Sequence, residues 1–141
     1  MVSRGEKWLC DFISGLDKSV DNEKLKQALE DCGRNCQSTS TIKKAKAIYE
    51  RSKDIDAFLT EFGTTYKHLH REKDGVYITY PRCYCPRVNK IPQSLMPAIY
   101  CNCSVGWAKA LFEGALGKSV DVKLEKSIIA GDNECRFKIG L

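Results

Sequence analysis

Two Cys-x-Cys pairs, separated by residues 86–100, lie in the stretch PRCYCPRVNKIPQSLMPAIYCNCSVGW. In an extended strand, residues two apart project to the same face, so Cys83 and Cys85 would present their sulfur atoms together, as would Cys101 and Cys103. A tetrahedral zinc site needs sulfur atoms only about 4 Å apart, which two neighbouring strands could supply. The spacing therefore predicts a metal site, with plain packing of buried cysteines or redox-active thiols as the alternatives.

A further thiol pair lies in DCGRNC, where Cys32 and Cys36 are four residues apart on a predicted helix face. This spacing suits chelation of one metal ion, and it equally suits two cysteines that share a core stripe with Leu25 and Leu29. Gly33 weakens the helix and allows another backbone to approach closely. Both interpretations of the pair stay open at this point.

The remaining thiols and the two histidines complete the set of metal-binding side chains. Cys10 lies inside the first apolar stripe and is expected in the core, whereas Cys135 opens the last predicted strand and keeps a ligand role open. His68 and His70 share a strand face, but their charged neighbours predict two solvent-facing histidines on an edge strand. Zinc is favoured over an iron–sulfur cluster, because the spacings do not match those of the common clusters. The candidate metal ligands are Cys32, Cys36, Cys83, Cys85, Cys101, Cys103 and Cys135.

The cysteine content and the start of the chain together bear on its compartment. Eight cysteines in 141 residues would suggest disulfides in a secreted protein. The first residues, MVSRGEKWLCDFISG, place charges where a signal peptide would need an apolar stretch, and they read as the start of an amphipathic helix. A cytoplasmic location with reduced thiols is therefore expected, and disulfides become the least favoured use of the cysteines.

Charge and hydropathy exclude two classes of partner. The formal net charge is +5, but the basic residues are spread along the chain. Their densest cluster, KKAKAIYERSK, has little aromatic interleaving and indicates a solvated helix face rather than a nucleic-acid surface. No apolar run approaches the length needed to span a bilayer. We expect neither nucleic acid nor membrane as a partner, and a homodimer is left open.

The elements that must position these thiols differ between the two halves of the chain, because the hydrophobic pattern changes from helical to alternating about halfway along the sequence. Helical spacing predicts helices over residues 3–16 and 21–32, followed by one through Ile42, Ala45 and Tyr49, with QSTST supplying the N-cap. Another apolar stripe runs through SKDIDAFLTEFG, and Gly63 is the expected helix stop.

The second half is predicted to form a sheet. Asp74-Gly75 between two extended stretches predicts a tight hairpin. A short strand at 98–103 and a helix at 105–116 follow, and two final strands are joined by AGDNE. The chain is therefore predicted to be one α+β domain over 1–141. N-terminal helices (residues 1–63) pack on an antiparallel sheet in the remaining half, with the late helix between sheet strands.

The sequence from Gly106 to the end resembles the C-terminal half of the 4-vinyl reductase domain. That family is an α+β small-molecule sensor fold that often carries a cysteine-bound zinc, so the resemblance implies a metal ligand at Cys135. A second family cysteine would fall at Ser127, where a hydroxyl is a poor zinc ligand, so the family's zinc site cannot be present intact. The matching residues are Gly117, Val120, Val122, Gly131, Asp132, Cys135, Phe137 and Ile139.

The fuller pattern, CGRNC followed by CYCP and CNCSVGW, resembles a family of bacterial and archaeal proteins with no assigned function. It is similar, more loosely, to the L-2-amino-thiazoline-4-carboxylic acid hydrolase family, which shares the ending with Cys and Phe on the last strand. Neither similarity assigns a catalytic residue.

Two functional hypotheses follow. The first is a sensor-like domain that binds a small molecule or a metal, with Tyr100 and Trp107 lining a pocket between sheet and helix. The second is a cysteine-dependent hydrolase of a small C–N or thiazoline-type substrate. Its nucleophile would be Cys103, expected just before a helix N-terminus that lowers its pKa. Glu113 could assist, but the histidines are expected on the hairpin, and the sequence leaves open whether the protein is an enzyme.

Overall fold

A computed structural model describes residues 2–92 and 94–141, and within them it has five α-helices, one 3₁₀ turn and four β-strands. The helices lie mostly N-terminal to an antiparallel sheet, which confirms the α+β prediction. The elements are α1 (Arg4–Ser19), α2 (Asn22–Cys36), α3 (Thr39–Glu50), α4 (Ile55–Thr65), β1 (Leu69–Glu72), β2 (Gly75–Tyr80), the 3₁₀ turn (Ala98–Cys101), α5 (Asn102–Leu116), β3 (Asp121–Lys126) and β4 (Cys135–Gly140).

Each of the first four helices begins after a side chain that accepts a backbone hydrogen bond. Ser3, Asp21, Ser38 and Asp54 occupy these N-cap positions, and Ser3 also forms a capping box with Glu6. Such caps satisfy backbone N–H groups that have no partner within the helix. The predicted N-cap in QSTST is confirmed at Ser38.

The four strands pair antiparallel in the order β1-β2-β4-β3. The hairpin predicted at Asp74-Gly75 is present, with Glu72 opposite Gly75, whose φ of 158° suits a glycine. In β4, Phe137 lies opposite both Ile78 of β2 and Leu124 of β3. Alternation along β4 buries one face of this central strand against the helices.

The main core lies between one sheet face and helices α3, α4 and α5. Phe58 of α4 and Leu111 and Phe112 of α5 are fully buried there, against Ile78 and Phe137 of the sheet. Burial of each such side chain contributes roughly 1.5–3 kcal/mol to stability. Leu111 and Phe112 lie in the helix that the sequence predicts at 105–116, and both are on its buried face.

A second, smaller core joins α1 and α2 to the irregular segment that we call the strap, residues 81–92 and 94–97. Val88, Ile91 and Met96 of the strap are buried together with Leu25 and Leu29 of α2. The strap's own backbone hydrogen bonds are local. The strap is therefore attached to the helices through these apolar side chains, and Cys10 of α1 lies in the same core as predicted.

Helices α2 and α5 cross in direct backbone contact. A Cβ atom added to Gly33 would lie 1.7 Å from the carbonyl oxygen of Cys103, and one added to Gly106 would lie 1.9 Å from that of Glu30. Only glycine fits at either point. The crossing brings the C-terminal end of α2 against the first turn of α5, and the close approach expected at Gly33 is confirmed.

Two local predictions are wrong. The strand expected at 98–103 is instead the 3₁₀ turn and the start of α5, where the N–H of Tyr100 donates to the carbonyl of Pro97 and the N–H of Asn102 to that of Ile99. Gly63 does not stop α4, which continues to Thr65 and ends where the N–H of Tyr66 donates to the carbonyl of Phe62. Among the described helices, none is long and apolar enough to cross a membrane.

Candidate functional site: a cavity lined by cysteines

A cavity of about 310 Å³ lies between the strap, the first turns of α5 and the inner face of the sheet. Its walls combine thiols with aromatic rings. The lining residues are Cys36, Tyr66, His68, Ile78, Tyr80, Arg82, Cys83, Tyr84, Cys85, Pro86, Arg87, Val88, Tyr100, Cys101, Cys103, Ser104, Trp107, Ala108, Ile129, Cys135 and Phe137.

Six of the chain's eight cysteines line this one cavity. They come from separate elements, since Cys36 ends α2 and Cys135 opens β4. The sequence expectation that the thiols meet on neighbouring strands is wrong in its geometry, because the strap and a helix carry both Cys-x-Cys pairs. The four thiols of those pairs, Cys83, Cys85, Cys101 and Cys103, nevertheless share the cavity wall.

The inner thiols have partners within the protein. The Sγ atom of Cys101 lies 2.9 Å from the Oγ atom of Ser127, and the Sγ atom of Cys135 accepts a hydrogen bond of 3.4 Å from the N–H of Ile128. Burial raises the pKa of Cys101 to about 12 and also raises the pKa of the half-buried Cys83. These thiols are therefore protonated and uncharged at neutral pH.

The outer thiols lie where α2, the strap and α5 meet, which we call the mouth of the cavity. The guanidinium Nη1 of Arg87 lies 3.7 Å from the Sγ atom of Cys36, and the Sγ atom of Cys85 lies 3.8 Å from the hydroxyl of Tyr100. Cys36 is exposed, as is Cys32 one turn earlier on α2. The mouth is thus the part of the site where solvent reaches the sulfur atoms.

Cys103 does not have the environment expected of an activated nucleophile. The 3₁₀ turn runs directly into α5, so the N–H of Asn102 already donates to the carbonyl of Ile99, and the start of the helical run lies upstream of Cys103. Burial, with a smaller contribution from neighbouring thiols, raises the pKa of Cys103 to about 11. The expected lowering of this pKa by a helix N-terminus is therefore wrong.

Glu113, which was expected to assist Cys103, makes structural contacts instead. Its carboxylate forms an ion pair with Arg34 and accepts a hydrogen bond of 3.0 Å from the N–H of Val120. These contacts tie α5 to α2 and to the start of β3. The hydrolase hypothesis stays a prediction that no contact described here favours.

Aromatic side chains form the wall opposite the thiols. The hydroxyls of Tyr66 and Tyr80 lie 2.5 Å apart, and burial raises the pKa of Tyr66 to about 12 and that of Tyr80 as well. The ring of His68 lies 4.6 Å from that of Tyr80, and the ring of Trp107 lies 6.4 Å from that of Tyr66. The predicted pocket residues Tyr100 and Trp107 both line the cavity.

The two histidines lie in different environments. His70 lies on the outer sheet face, where its Nε2 atom is 3.0 Å from the carboxylate of Glu72, in agreement with the prediction. His68 precedes β1 and lies in the cavity wall between the rings of Tyr80 and Tyr84, so its predicted solvent-facing position is wrong. Sequence reasoning missed His68 and Tyr66 because they lie in the connection between α4 and β1, where neither helical nor strand periodicity fixes the face, whereas the alternation of Ile78 and Tyr80 in β2 could have indicated Tyr80.

The charge of the lining is positive. None of its described residues carries a carboxylate, whereas Arg82 and Arg87 are both present. Arg82 lies over the ring of Tyr84, at 4.9 Å from the ring centre. Neither arginine forms an ion pair with a carboxylate of the described residues. Two cationic groups at the cavity are therefore available to an anion.

The zinc ligand that the sequence resemblance implies at Cys135 does not fit its surroundings. Ser127 occupies the position of the second family thiol, and its hydroxyl is engaged by Cys101, while Cys135 accepts the Ile128 hydrogen bond. In residues 2–92 and 94–141, no three side chains of His, Cys, Asp or Glu are arranged closely enough to hold a metal ion. Any metal site requires thiols to turn from the positions described.

A second cavity, of about 460 Å³, lies next to the first and is also lined by residues of the strap. It shares Arg82, Cys83, Tyr84, Val88 and Ile129 with the cysteine cavity, and its other lining residues include Met96 and Asp132. Residues of the strap thus line both cavities, and of its two cysteines Cys83 lines both whereas Cys85 lines the smaller one.

Comparison with known proteins assigns a family without an activity. No curated protein matches the chain. The comparisons show no link to the 4-vinyl reductase domain or to the thiazoline carboxylic acid hydrolases. A model described as a family of unknown function (DUF6144) matches residues 2–141. This match spans the structure described above, and the chain belongs to that family.

Proposed function

We propose that this chain is a sensor-like binding domain whose cysteine cavity takes up a small, flat aromatic or conjugated carboxylate. The observation that carries the proposal is the composition of the cavity wall, which joins six thiols and a row of aromatic rings and contains two arginines and no carboxylate among its described residues. A volume of about 310 Å³ suits a ligand of one or two rings.

The preference for a ligand with an apolar, planar ring system follows from the protonated state of the cavity thiols. Because burial raises the pKa values of Cys101 and Cys103 to about 12 and about 11, both sulfur atoms are uncharged at neutral pH. Uncharged sulfur is polarizable and makes favourable contacts with aromatic rings. Trp107 and Tyr80 offer further ring surfaces for stacking.

The preference for a ligand that carries a hydrogen-bond acceptor and a negative charge follows from the polar groups of the cavity wall. In the Tyr66–Tyr80 pair, one hydroxyl donates to the other, and the second O–H has no acceptor among the described residues. A ligand oxygen would satisfy that donor. Arg82 and Arg87, which lack carboxylate partners in the described structure, would offset the charge of a ligand carboxylate.

The proposal is tested with trans-cinnamate and its neutral analogue cinnamyl alcohol as probes. The chain has two tryptophans, and Trp8→Phe leaves Trp107 as the only indole reporter in the cavity wall. In this background we expect saturable quenching of Trp107 fluorescence by cinnamate. Binding of the alcohol is expected to be about tenfold weaker or more, since a charge-assisted hydrogen bond contributes about 1.5–3 kcal/mol.

A cavity-filling variant provides the decisive comparison. Ser104 is half-buried in the cavity wall, so Ser104→Phe should occupy the ligand volume and abolish quenching, whereas Ser104→Ala should leave it unchanged. If neither probe saturates, or if Ser104→Phe binds cinnamate as well as the parent does, the proposal is wrong.

A further inference from the structure

Two cysteines on α2 are exposed, which is unusual for a residue type that is among the most often buried. Cys32 and Cys36 are four residues apart on the last turns of the helix, where side chains at this spacing are neighbours on one face. The inner thiols are explained by packing and by their hydrogen bonds. Exposure of two adjacent thiols is not explained in that way.

The crossing of α2 with α5 places a third thiol, that of Cys103, near this pair. Gly33, between the two cysteines in sequence, touches the backbone of Cys103, and the contact leaves no room for a Cβ atom. Cys36 and Cys103 both line the cavity on either side of that contact. The two glycines thus fix the distance between the helices that carry these thiols.

The strap supplies a fourth thiol and a positive charge. Cys85 lies in the cavity wall, and two residues later Arg87 contacts the sulfur of Cys36 across the mouth. Cys36, Cys85 and Cys103 line the same cavity, and Cys32 lies one turn before Cys36 on α2. Three cysteines from three segments therefore line the mouth, and Cys32 lies beside it on α2.

We propose that Cys32, Cys36, Cys85 and Cys103 bind one thiophilic divalent metal ion, such as Zn²⁺, at the mouth of the cavity. Three of these cysteines, Cys36, Cys85 and Cys103, also line the cavity that we assign to the small molecule, so the two sites adjoin and cinnamate binding is measured on the metal-free protein. Four thiolates are the donor set that zinc takes in closed, structural sites, at sulfur distances of about 2.3 Å.

The site requires the thiols to turn inward, because no three of them are arranged to hold an ion in the described structure. A change of one side-chain rotamer moves a cysteine sulfur by about 3 Å. Cys32 and Cys36 are exposed and unconfined, and Cys85 lies on the strap, whose backbone hydrogen bonds are local. Metal binding would therefore close the strap onto α2 and α5.

Charge favours the mouth over the inner wall as the metal site. A divalent ion with four thiolates carries two negative charges, which Arg87 would partly offset once its contact with Cys36 is replaced. The metal displaces protons from thiols whose neutral form burial otherwise favours. The inner pair Cys101 and Cys135 would have to give up hydrogen bonds to Ser127 and Ile128, so we exclude it from the ligand set.

Cobalt provides the test, because tetrahedral Co²⁺–thiolate sites have characteristic visible and charge-transfer absorption. The full chain is purified without a metal-affinity column, reduced with a phosphine, stripped with a chelator and titrated anaerobically with Co²⁺. We expect one Co²⁺ per chain with a thiolate spectrum, and displacement by one equivalent of Zn²⁺.

The variants identify the ligands. Cys32→Ser and Cys36→Ser change exposed positions outside the two cores. Each should weaken Co²⁺ binding by more than about 100-fold, which exceeds the loss expected for a residue that only hydrogen-bonds to a metal ligand. Cys85→Ser and Cys103→Ser should do the same. Cys135→Ser, checked for native circular dichroism, is the matched control and should bind Co²⁺ as the parent does.

Three results would overturn the proposal. The first is the absence of Co²⁺ binding by the reduced chain, including the case in which Cys32 and Cys36 are recovered as a disulfide pair. The second is retained binding in the Cys32→Ser/Cys36→Ser double variant. The third is loss of binding in Cys135→Ser with native structure, which would assign the inner thiols instead. Cinnamate binding is measured separately, so failure of the metal site leaves the small-molecule proposal standing.

Discussion

Gly33 of α2 lies directly against Cys103 of α5, so that a Cβ atom on Gly33 would come within 1.7 Å of the Cys103 carbonyl oxygen. This contact sets the distance between the two helices that frame the cysteine cavity. The neighbouring position on α5, Gly106, makes an equivalent contact with Glu30. The crossing therefore depends on two glycines that meet backbone rather than flexible side chains.

Gly33→Ala is expected to force the helices apart, and it should lower the free energy of unfolding by about 3 kcal/mol or more, at the upper end for overpacking. Gly15→Ala is the matched control, because Gly15 lies within α1 and has nothing within 4 Å of an added Cβ atom. It should stabilise the protein by roughly 0.5–1 kcal/mol. Urea denaturation measures both, and equal effects of the two substitutions would contradict the tight crossing.

The parts of the fold that were predicted correctly depend on local sequence. The hairpin follows from Asp74-Gly75, and the last strand follows from the alternation of Cys135, Phe137 and Ile139. The N-cap at Ser38 is likewise a signal contained within a few residues. Each of these features is fixed by propensity and period before any long-range contact forms.

The arrangement of the site was not predictable in the same way. The alternation of Cys101 and Cys103 suggested a strand, but these residues lie in the 3₁₀ turn and the first turn of α5, and Tyr100 contributes both to the second core and to the cavity wall. The thiols meet through the α2–α5 crossing and the strap, which are contacts between residues distant in sequence. Gly33 was the one residue that indicated the crossing in advance.

The outer face of the sheet provides a pH-dependent test of stability. Both carboxylate oxygens of Glu72 accept hydrogen bonds of 2.9 Å from the guanidinium of Arg136, which in turn lies 3.8 Å above the ring of Tyr77. These bonds lower the pKa of Glu72 from 4.5 to about 2. Because the pKa is lower in the folded state, the contribution to stability is present above pH 4.5 and is lost as the pH falls from 4.5 towards about 2.

Glu72→Gln should therefore be less stable than the parent at neutral pH, and the two proteins should converge near pH 2. The measurement is the urea midpoint as a function of pH. Glu61→Gln is the control, since Glu61 forms an exposed ion pair with Arg51 and should show a much smaller effect. A constant difference between Glu72→Gln and the parent from neutral to acidic pH would contradict the assignment.

Ser127 holds together the turn that positions two inner thiols. Its hydroxyl contacts Cys101 at 2.9 Å, and its N–H donates to the carboxylate of Asp132 at 2.8 Å. Ser127→Ala should leave the Cys101 thiol without its partner and lower the free energy of unfolding by about 1–3 kcal/mol. Ser104→Ala, at a half-buried position of the same cavity, should change stability by less than about 0.5 kcal/mol. Equal effects would show that the Ser127 contact is not stabilising.

The Tyr66–Tyr80 hydroxyl pair provides the last prediction, and a double-mutant cycle tests it. Tyr66→Phe or Tyr80→Phe alone leaves one buried hydroxyl without its partner, which should cost about 1–3 kcal/mol. The double variant Tyr66→Phe/Tyr80→Phe removes both polar groups and leaves neither unsatisfied, so its cost should be well below the sum of the single costs.

Alkaline pH adds a second readout on the same pair. The pKa of Tyr66 rises from 10.0 to about 12 on folding, so its neutral phenol contributes stability that is complete below pH 10 and is lost as the pH rises towards 12. Tyr66→Phe should remove this part of the alkaline decline in the urea midpoint. Additive single costs together with an unchanged alkaline profile would mean that the two hydroxyls do not interact. The free O–H that we assign to a ligand oxygen would then lose its structural basis.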